Sequence, residues 1–304
     1  MRNGSAALAR AVGDAVAGRV RADEPLARHT SFRIGGPADV LVTPDTAQEL
    51  AAVVRAAGEA GAPLVVLGGG SNMLVGDGGI RGVVVKLGRG FRRVVWNAPC
   101  VEAGAAVQLG RLARDAAARG LAGLEYAEGI PGTVGGALFM NAGAYGGEVS
   151  ETVDEVEGVD PSGVVRRVVR AALDFTYRRT ALPAGFVVTA VRFRLRPEAS
   201  DAVQARLADA RGRRTASQPH GWANAGSVFK NPPGDYAGRL VELAGLKGTR
   251  VGGARISEQH GNFIVNEGAA RATDVQALIQ EAQRVVWERS GVWLEPEVRL
   301  VGSW

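Results

Sequence analysis

Glycine gathers where apolar segments end, and this constrains the fold more than any other feature of the chain. Of 304 residues 43 are glycine, and they form neither a collagen-like period nor a linker-like tract. Gly68-Gly69-Gly70-Ser71-Asn72 closes the apolar run 64–67. A second cluster, Glu128-Gly129-Ile130-Pro131-Gly132-Thr133-Val134-Gly135-Gly136-Ala137, is followed by Asn141-Ala142-Gly143-Ala144-Tyr145-Gly146. Without a Cβ, backbone can turn with positive φ or approach a neighbour closely.

The first run lets backbone N–H groups converge on an anion, with Ser71 and Asn72 adding side-chain donors. A plain tight turn reads the same residues equally well. The run is not a Rossmann fingerprint, which requires G-x-G-x-x-G at a helix start and a later acidic residue. Nor is it a Walker loop, because no Gly-Lys-Ser/Thr follows. In the second run, Pro131, Gly132, Thr133, Gly135 and Gly136 form a loop whose backbone can lie against a flat or phosphorylated ligand. Two such loops in successive blocks suit an extended dinucleotide sandwiched between them; packed turns under an antiparallel sheet are the alternative.

The length suits two or three domains. The first block, 1–90, reads as a small α/β unit: a helix over 5–18, a strand over 38–42, then a helix with its own start signal. Thr46 at the N-cap and Glu49 three residues on make a capping box, and Leu50, Val53, Val54 and Ala57 share one face. Strands at 64–67 and 82–87 complete it. The second block, 91–199, has strands near Val94 and Val101, a helix over 107–119, and strands at 153–159, 164–169 and 187–195 that predict an antiparallel sheet. The third block, 200–304, opens with a helix over 200–214. Thr273 with Gln276 predicts the start of an amphipathic helix that Gly291 stops, and a closing strand is expected over 292–301.

The formal net charge of +5 suits anionic partners. No basic run interleaved with aromatics points to nucleic acid. Cys100 is the only cysteine, which excludes an intramolecular disulfide and a thiolate metal site, and no metal is expected. No apolar stretch reaches membrane-spanning length, and a soluble cytoplasmic protein is expected.

Three further segments carry polar side chains in suggestive settings. In Ala225-Gly226-Ser227-Val228-Phe229-Lys230-Asn231-Pro232, the Ser227 hydroxyl can give a proton to a developing carbanion if a nearby cation stabilises the alkoxide. A loop serine satisfying backbone groups is the plainer reading. In Leu294-Glu295-Pro296-Glu297-Val298-Arg299, strand alternation puts Glu295, Glu297 and Arg299 on one face, as a catalytic acid or an ion pair. In Phe175-Thr176-Tyr177-Arg178-Arg179-Thr180, a guanidinium can meet a substrate carboxylate or form a sheet-end salt bridge.

Together these segments resemble one family, the UDP-N-acetylenolpyruvoylglucosamine reductases. The resemblance runs in order through His29-Thr30-Ser31-Phe32-Arg33-Ile34-Gly35-Gly36-Pro37-Ala38-Asp39, then 68–72, 129–136 and 140–146. Tyr177-Arg178, 226–232, Gly245-Leu246-Lys247-Gly248 and 294–299 follow. It implies an α+β fold: a two-subdomain FAD-binding fold of the p-cresol methylhydroxylase/vanillyl-alcohol oxidase type, then a C-terminal α/β substrate-binding domain. The length is similar to the shorter type, without a substrate-capping insertion.

By matching positions the resemblance implies catalytic roles for Arg178, Ser227 and Glu297. It implies FAD contacts at Arg33, Gly68, Gly69, Gly70, Ser71, Asn72, Pro131, Gly132, Thr133, Gly135, Gly136, Asn141, Ala142 and Gly143. Substrate contacts are implied at Tyr145, Lys230, Asn231, Lys247 and His260. Thr180 stands where many relatives carry serine, so a hydroxyl is kept. The implied reaction is NADPH-dependent reduction of UDP-N-acetylglucosamine enolpyruvate to UDP-N-acetylmuramate, in peptidoglycan precursor synthesis. Hydride would come from flavin N5 and a proton from Ser227, on a monomer. A flavoprotein oxidase on the same FAD fold and a non-catalytic nucleotide-binding protein are the alternatives.

Overall fold

The computed structural model describes residues 3–304, with side chains from residue 7 onward. Compactness divides the chain into two units that interleave along the sequence. The first comprises 1–22, 40–69 and 82–214; the second comprises 23–39, 70–81 and 215–304.

In the first unit, five strands form an antiparallel sheet in the order Val165–Val169, Val153–Val159, Val187–Arg194, Cys100–Gly104, Val94–Asn97. One face buries Val101, Ala103, Val156, Val191 and Phe193 against the helix Leu109–Ala117, whose Leu109, Leu112, Ala113 and Ala116 recur at helical spacing. The helix Ser200–Ser217 sends Val203 and Leu207 into this same core. Sequence reading opens the third block with that helix, but through Arg214 it packs with the first unit. Two salt bridges join it there: Arg206 to Glu125 at 2.8 Å and Arg211 to Glu128 at 2.7 Å.

A second core of the first unit lies under the helix Ala47–Glu59. Its expected capping box is present: Glu49 N donates to Thr46 Oγ1, and the Glu49 carboxylate accepts from Thr46 N. Leu50 and Val53 are fully buried, each contributing about 1.5–3 kcal/mol. The expected helix over 5–18 is the helix Asn3–Gly13 followed by a single 3₁₀ turn, Asp14–Val16.

The second unit buries Phe32, Ile34 and Leu74 with the helices Ala237–Leu243 and Ala272–Ser290 and the strands Ala254–Ile256 and Ile264–Asn266. Two local expectations need correction here. The long helix does not begin with a Thr273–Gln276 box: its N-cap is Arg271, and Asp274 accepts from Arg271 N at 2.9 Å. The Thr273 hydroxyl and amide turn instead to Asp77, at 3.1 and 3.2 Å, and Asp77 also accepts from Ala272 N at 2.9 Å. A carboxylate remote in sequence thus satisfies helix N–H groups that lack an intrahelical partner.

The closing strand is only Arg299–Val301, paired in parallel with Met73–Val75. Upstream, the Val228 carbonyl accepts from both Glu297 N, at 2.8 Å, and Val298 N, at 3.2 Å. That doubled bond, next to Pro296, interrupts the ladder. Glu295, Glu297 and Arg299 therefore do not alternate along one continuous strand.

Among the described residues, no helix is long and apolar enough to cross a membrane.

Candidate active site

The first unit brings the two glycine loops into contact. A Cβ on Gly69 would stand 2.7 Å from the Cα of Gly132, and one on Gly68 would stand 2.9 Å from Thr133 Oγ1. The result is a double ribbon of bare backbone instead of two separated walls. Gly136 is exposed, and a Cβ there would meet only Thr133 Oγ1, at 3.6 Å. Thr133 is spent locally, capping the short helix Val134–Phe139 by accepting from Gly136 N at 3.4 Å.

This arrangement fits FAD. A flat ring system and a pyrophosphate both need backbone approach free of side chains, and the exposed Gly69 and Gly136 present such a surface. Arg214 lies alongside, its Cδ 2.6 Å from where a Gly129 Cβ would be, and burial lowers the pKa of its guanidinium.

Beyond the ribbon, Gly143–Ala144 and Gly147–Glu148 form a two-stranded hairpin with Tyr145 and Gly146 at its tip. The Tyr145 ring is 45% exposed, and the guanidinium carbons of Arg213 and Arg214 each lie 5.9 Å from its centroid. Sequence reading missed these two arginines; their only signal was an Arg-Gly-Arg-Arg step late in a charged helix. Arg178 occupies the tip of a second hairpin, Asp174–Thr176 with Arg179–Ala181, and its Nη2 donates to Gly143 O at 2.8 Å. Asn141 differs from the other expected cofactor residues. It is 0% exposed, Nδ2 donates to Thr176 O at 3.1 Å, and Oδ1 accepts from Ser150 N at 3.0 Å.

In the second unit, Ser227 and Glu297 sit on neighbouring segments. The Val228 carbonyl receives the Glu297 amide, and Lys230 N donates to Glu295 O at 2.9 Å. From the other side, the buried Asn262 carboxamide grips the Phe229 backbone twice: Phe229 N donates to Oδ1 and Nδ2 donates to Phe229 O, both at 2.8 Å. Asn262 imitates a strand rung with a side chain, which no local pattern announces. Asn72 joins the same group, Nδ2 donating to Glu297 O at 3.0 Å and its carbonyl accepting from Arg299 N at 3.0 Å. Gly70 has φ +62°, and a Cβ there would stand 2.2 Å from His29 O. Ser71 is half-buried beside it.

The four expected substrate residues of this unit are engaged within it. Lys230 Nζ lies 2.5 Å from Glu295 Oε1, so the cation near Ser227 is held by a carboxylate. Asn231 Oδ1 accepts from Ala237 N at 3.1 Å, and Lys247 Nζ lies 3.2 Å from Glu242. His260 Nδ1 accepts from Asn262 N at 3.1 Å. Burial, and secondarily the Lys247 charge, lower the His260 pKa, favouring neutral imidazole.

Backbone strain marks the same residues. Among the described residues six non-glycines have left-handed φ, and four of them are sequence candidates: Arg33 (55°), Asn141 (41°), Tyr145 (53°) and Arg178 (59°). Each such conformation costs about 1–3 kcal/mol, and strain of this kind clusters at functional sites. Among the described residues, no group of three or more His, Cys, Asp or Glu is placed to hold a metal.

Comparison with known proteins extends this geometry to the whole chain. The model of an FAD-binding domain matches residues 38–168, and that of the UDP-N-acetylenolpyruvoylglucosamine reductase C-terminal domain matches 218–301. A UDP-N-acetylenolpyruvoylglucosamine reductase 2 of Symbiobacterium thermophilum is 48% identical over 286 residues, 94% of this chain and 93% of its own. The Geobacter metallireducens reductase is 47% identical over 94% of this chain and 95% of its own. The crystal structure of the reductase from Thermus caldophilus superposes with a TM-score of 0.80 at 41% identity, covering 91% of this chain and 97% of that one. Two domain matches in chain order and relatives similar from end to end leave one conclusion: this chain belongs to the UDP-N-acetylenolpyruvoylglucosamine reductase family.

Proposed function

We propose that the chain reduces UDP-N-acetylglucosamine enolpyruvate to UDP-N-acetylmuramate with NADPH, acting as a cytoplasmic monomer in peptidoglycan precursor synthesis. Residues 1–90 and 91–199 contribute the FAD-binding subdomains and 200–304 the substrate domain, except that its opening helix packs through Arg214 with the first unit and that 23–39 and 70–81 join the second. Arg33, Gly68–Asn72, Pro131, Gly132, Thr133, Gly135, Gly136, Ala142 and Gly143 hold the cofactor. FAD, when bound, would supply the redox chemistry, a hydride relay from NADPH by way of flavin N5 to the enolpyruvyl group.

Every other task falls to the chain's own side chains. As hydride reaches the terminal carbon of the substrate, negative charge spreads over the adjacent carbon and its carboxylate. Arg178, and Glu297 as a protonated, hydrogen-bonding carboxyl, stabilise that charge where water is scarce. Ser227 then protonates the carbon and sets the lactyl stereochemistry. Tyr145, Lys230, Asn231, Lys247 and His260 orient the sugar nucleotide. The observation that supports this reading is the bond from Glu297 N to Val228 O, which draws together the backbone segments that carry Glu297 and Ser227.

The test separates the two halves of the cycle. NADPH added anaerobically should bleach the flavin absorbance, and the sugar nucleotide should restore it. In Ser227→Ala, bleaching should survive while recovery slows about 10²-fold or more, the scale of general-acid loss. Recovery at the wild-type rate removes Ser227 from the mechanism.

A further inference from the structure

Asn141 has no exposed surface, so no face of its side chain is available to a ligand. Its carboxamide is spent on two backbone groups in different segments, Thr176 O and Ser150 N. Thr176 is the last strand residue before the turn that carries Arg178.

The second hairpin is fastened to segment 138–143 at every other residue. Thr176 O accepts from Asn141 Nδ2 at 3.1 Å. Arg178 Nη2 donates to Gly143 O at 2.8 Å. Thr180 Oγ1 donates to Leu138 O through a short hydrogen bond. A strand-end carbonyl, a turn side chain and a buried hydroxyl on the return strand thus all bond to segment 138–143, and the three contacts form one seam. The Arg178 guanidinium also lies over the Tyr177 ring, 4.7 Å from its centroid. Asn141 and Arg178 both carry left-handed backbone, which persists only where the surroundings over-determine it.

The geometry points to Asn141 as a positioning residue, one that sets the Arg178 guanidinium against the substrate carboxylate by fixing the 174–181 hairpin on the segment ending at Gly143. This rests on the proposed role of Arg178 and assigns Asn141 to the arginine rather than to cofactor contact. Asparagine suits the position because it tolerates left-handed φ and offers a donor and an acceptor at opposite ends of one short group.

The test uses flavin-loaded enzyme and two variants. Asn141→Asp keeps the acceptor for Ser150 N and the tolerance for positive φ, but turns an oxygen toward Thr176 O. Thr180→Val breaks the seam at Leu138, outside the ligand-facing residues, and serves if the first variant folds poorly. Bleaching by NADPH should stay at the wild-type rate in both, while recovery with the enolpyruvyl sugar nucleotide slows about 10- to 100-fold, the scale of a small misplacement. Calorimetry with UDP-N-acetylmuramate, whose carboxylate Arg178 would meet, should show weakened binding. Combined with Arg178→Ala, neither change should slow recovery beyond Arg178→Ala alone, because a positioning residue has nothing left to position. Additive losses, or equal slowing of both half-reactions, overturn the inference and leave the proposed function standing. Wild-type recovery in Arg178→Ala overturns both.

Discussion

Replacing Asp77 should loosen the helix Ala272–Ser290 by an amount that can be worked from its contacts. Asp77 receives two helix N–H groups, from Ala272 at 2.9 Å and Thr273 at 3.2 Å, and the Thr273 hydroxyl at 3.1 Å. Loss of an N-terminal cap costs about 0.5–2 kcal/mol, and loss of a negative charge at a helix N-terminus about 0.3–1 kcal/mol. Asp77→Ala should therefore cost about 1–3 kcal/mol, the sum of these two terms. Asp77→Asn keeps only one of the two accepting oxygens, so it should lose the charge term, about 0.3–1 kcal/mol, and part of the cap, yet less in total than Asp77→Ala.

The pH dependence has a definite sign. Desolvation alone would raise the Asp77 pKa, but bonds from the Ala272 and Thr273 amides and the Thr273 hydroxyl, with the nearby Arg271 charge, hold it below the ordinary value. A carboxyl depressed in the folded state contributes stability above its unfolded pKa of about 3.9 and loses it as pH falls through the folded pKa. The gap between wild type and Asp77→Asn should thus be full at neutral pH and close only below about pH 3.9. Urea unfolding followed by tryptophan fluorescence reads it, since Trp287 on this helix lies edge-on to Trp293. A lower midpoint with an unchanged slope is expected for Asp77→Ala. A wild-type midpoint for Asp77→Ala at pH 7, or equal losses for both variants, would refute the reasoning.

Asn262→Ala leaves the Phe229 N–H and C=O without their side-chain partner at a residue only 2% exposed; each orphaned group costs about 1–3 kcal/mol, measurable as a lower urea midpoint. Gly69→Ala drives a Cβ to 2.7 Å from Gly132 Cα; both sides are backbone, so the ribbon must part and the purified protein should lose its yellow colour. Gly136→Ala adds a methyl that meets only Thr133 Oγ1, at 3.6 Å; the protein should keep its melting temperature but bind FAD less tightly by fluorescence titration, and unchanged affinity would count against the proposed cofactor surface.

Elements with local signals were legible in the sequence. The Thr46–Glu49 box sits where its residue types place it, and the strands Val153–Val159, Val165–Val169 and Val187–Arg194 pair antiparallel as their turns predict. What local pattern missed depends on partners far away in the chain. The cap of the long helix comes from Asp77, 195 positions before Ala272. The closing strand is cut short because two amides converge on Val228 O. The helix Ser200–Ser217 looked like the opening of a new block because Arg196-Pro197 precedes it, but Val203 and Leu207 had already been claimed by the Leu109–Ala117 helix and its sheet. At the site, glycine runs revealed the bare ribbon but not that its halves touch. Asn141 read as a ligand contact because it lies in the segment 140–146 that resembles the family, and only its complete burial shows that its surface is spent on protein.

The interleaving of the two units bears on how the chain is made. The first unit draws nothing beyond Arg214, so it can close while 215–304 are still being synthesised. The second cannot: it recruits 23–39 and 70–81, and Met73–Val75 waits for Arg299–Val301, a strand made much later. Until then Phe32, Ile34 and Leu74 have only part of their core, apolar surface that a nascent chain must keep from aggregating. Pairings so distant in sequence form slowly. A stalled or truncated product would carry a finished first unit joined to an unfinished second, and quality control would meet it as a half-folded protein.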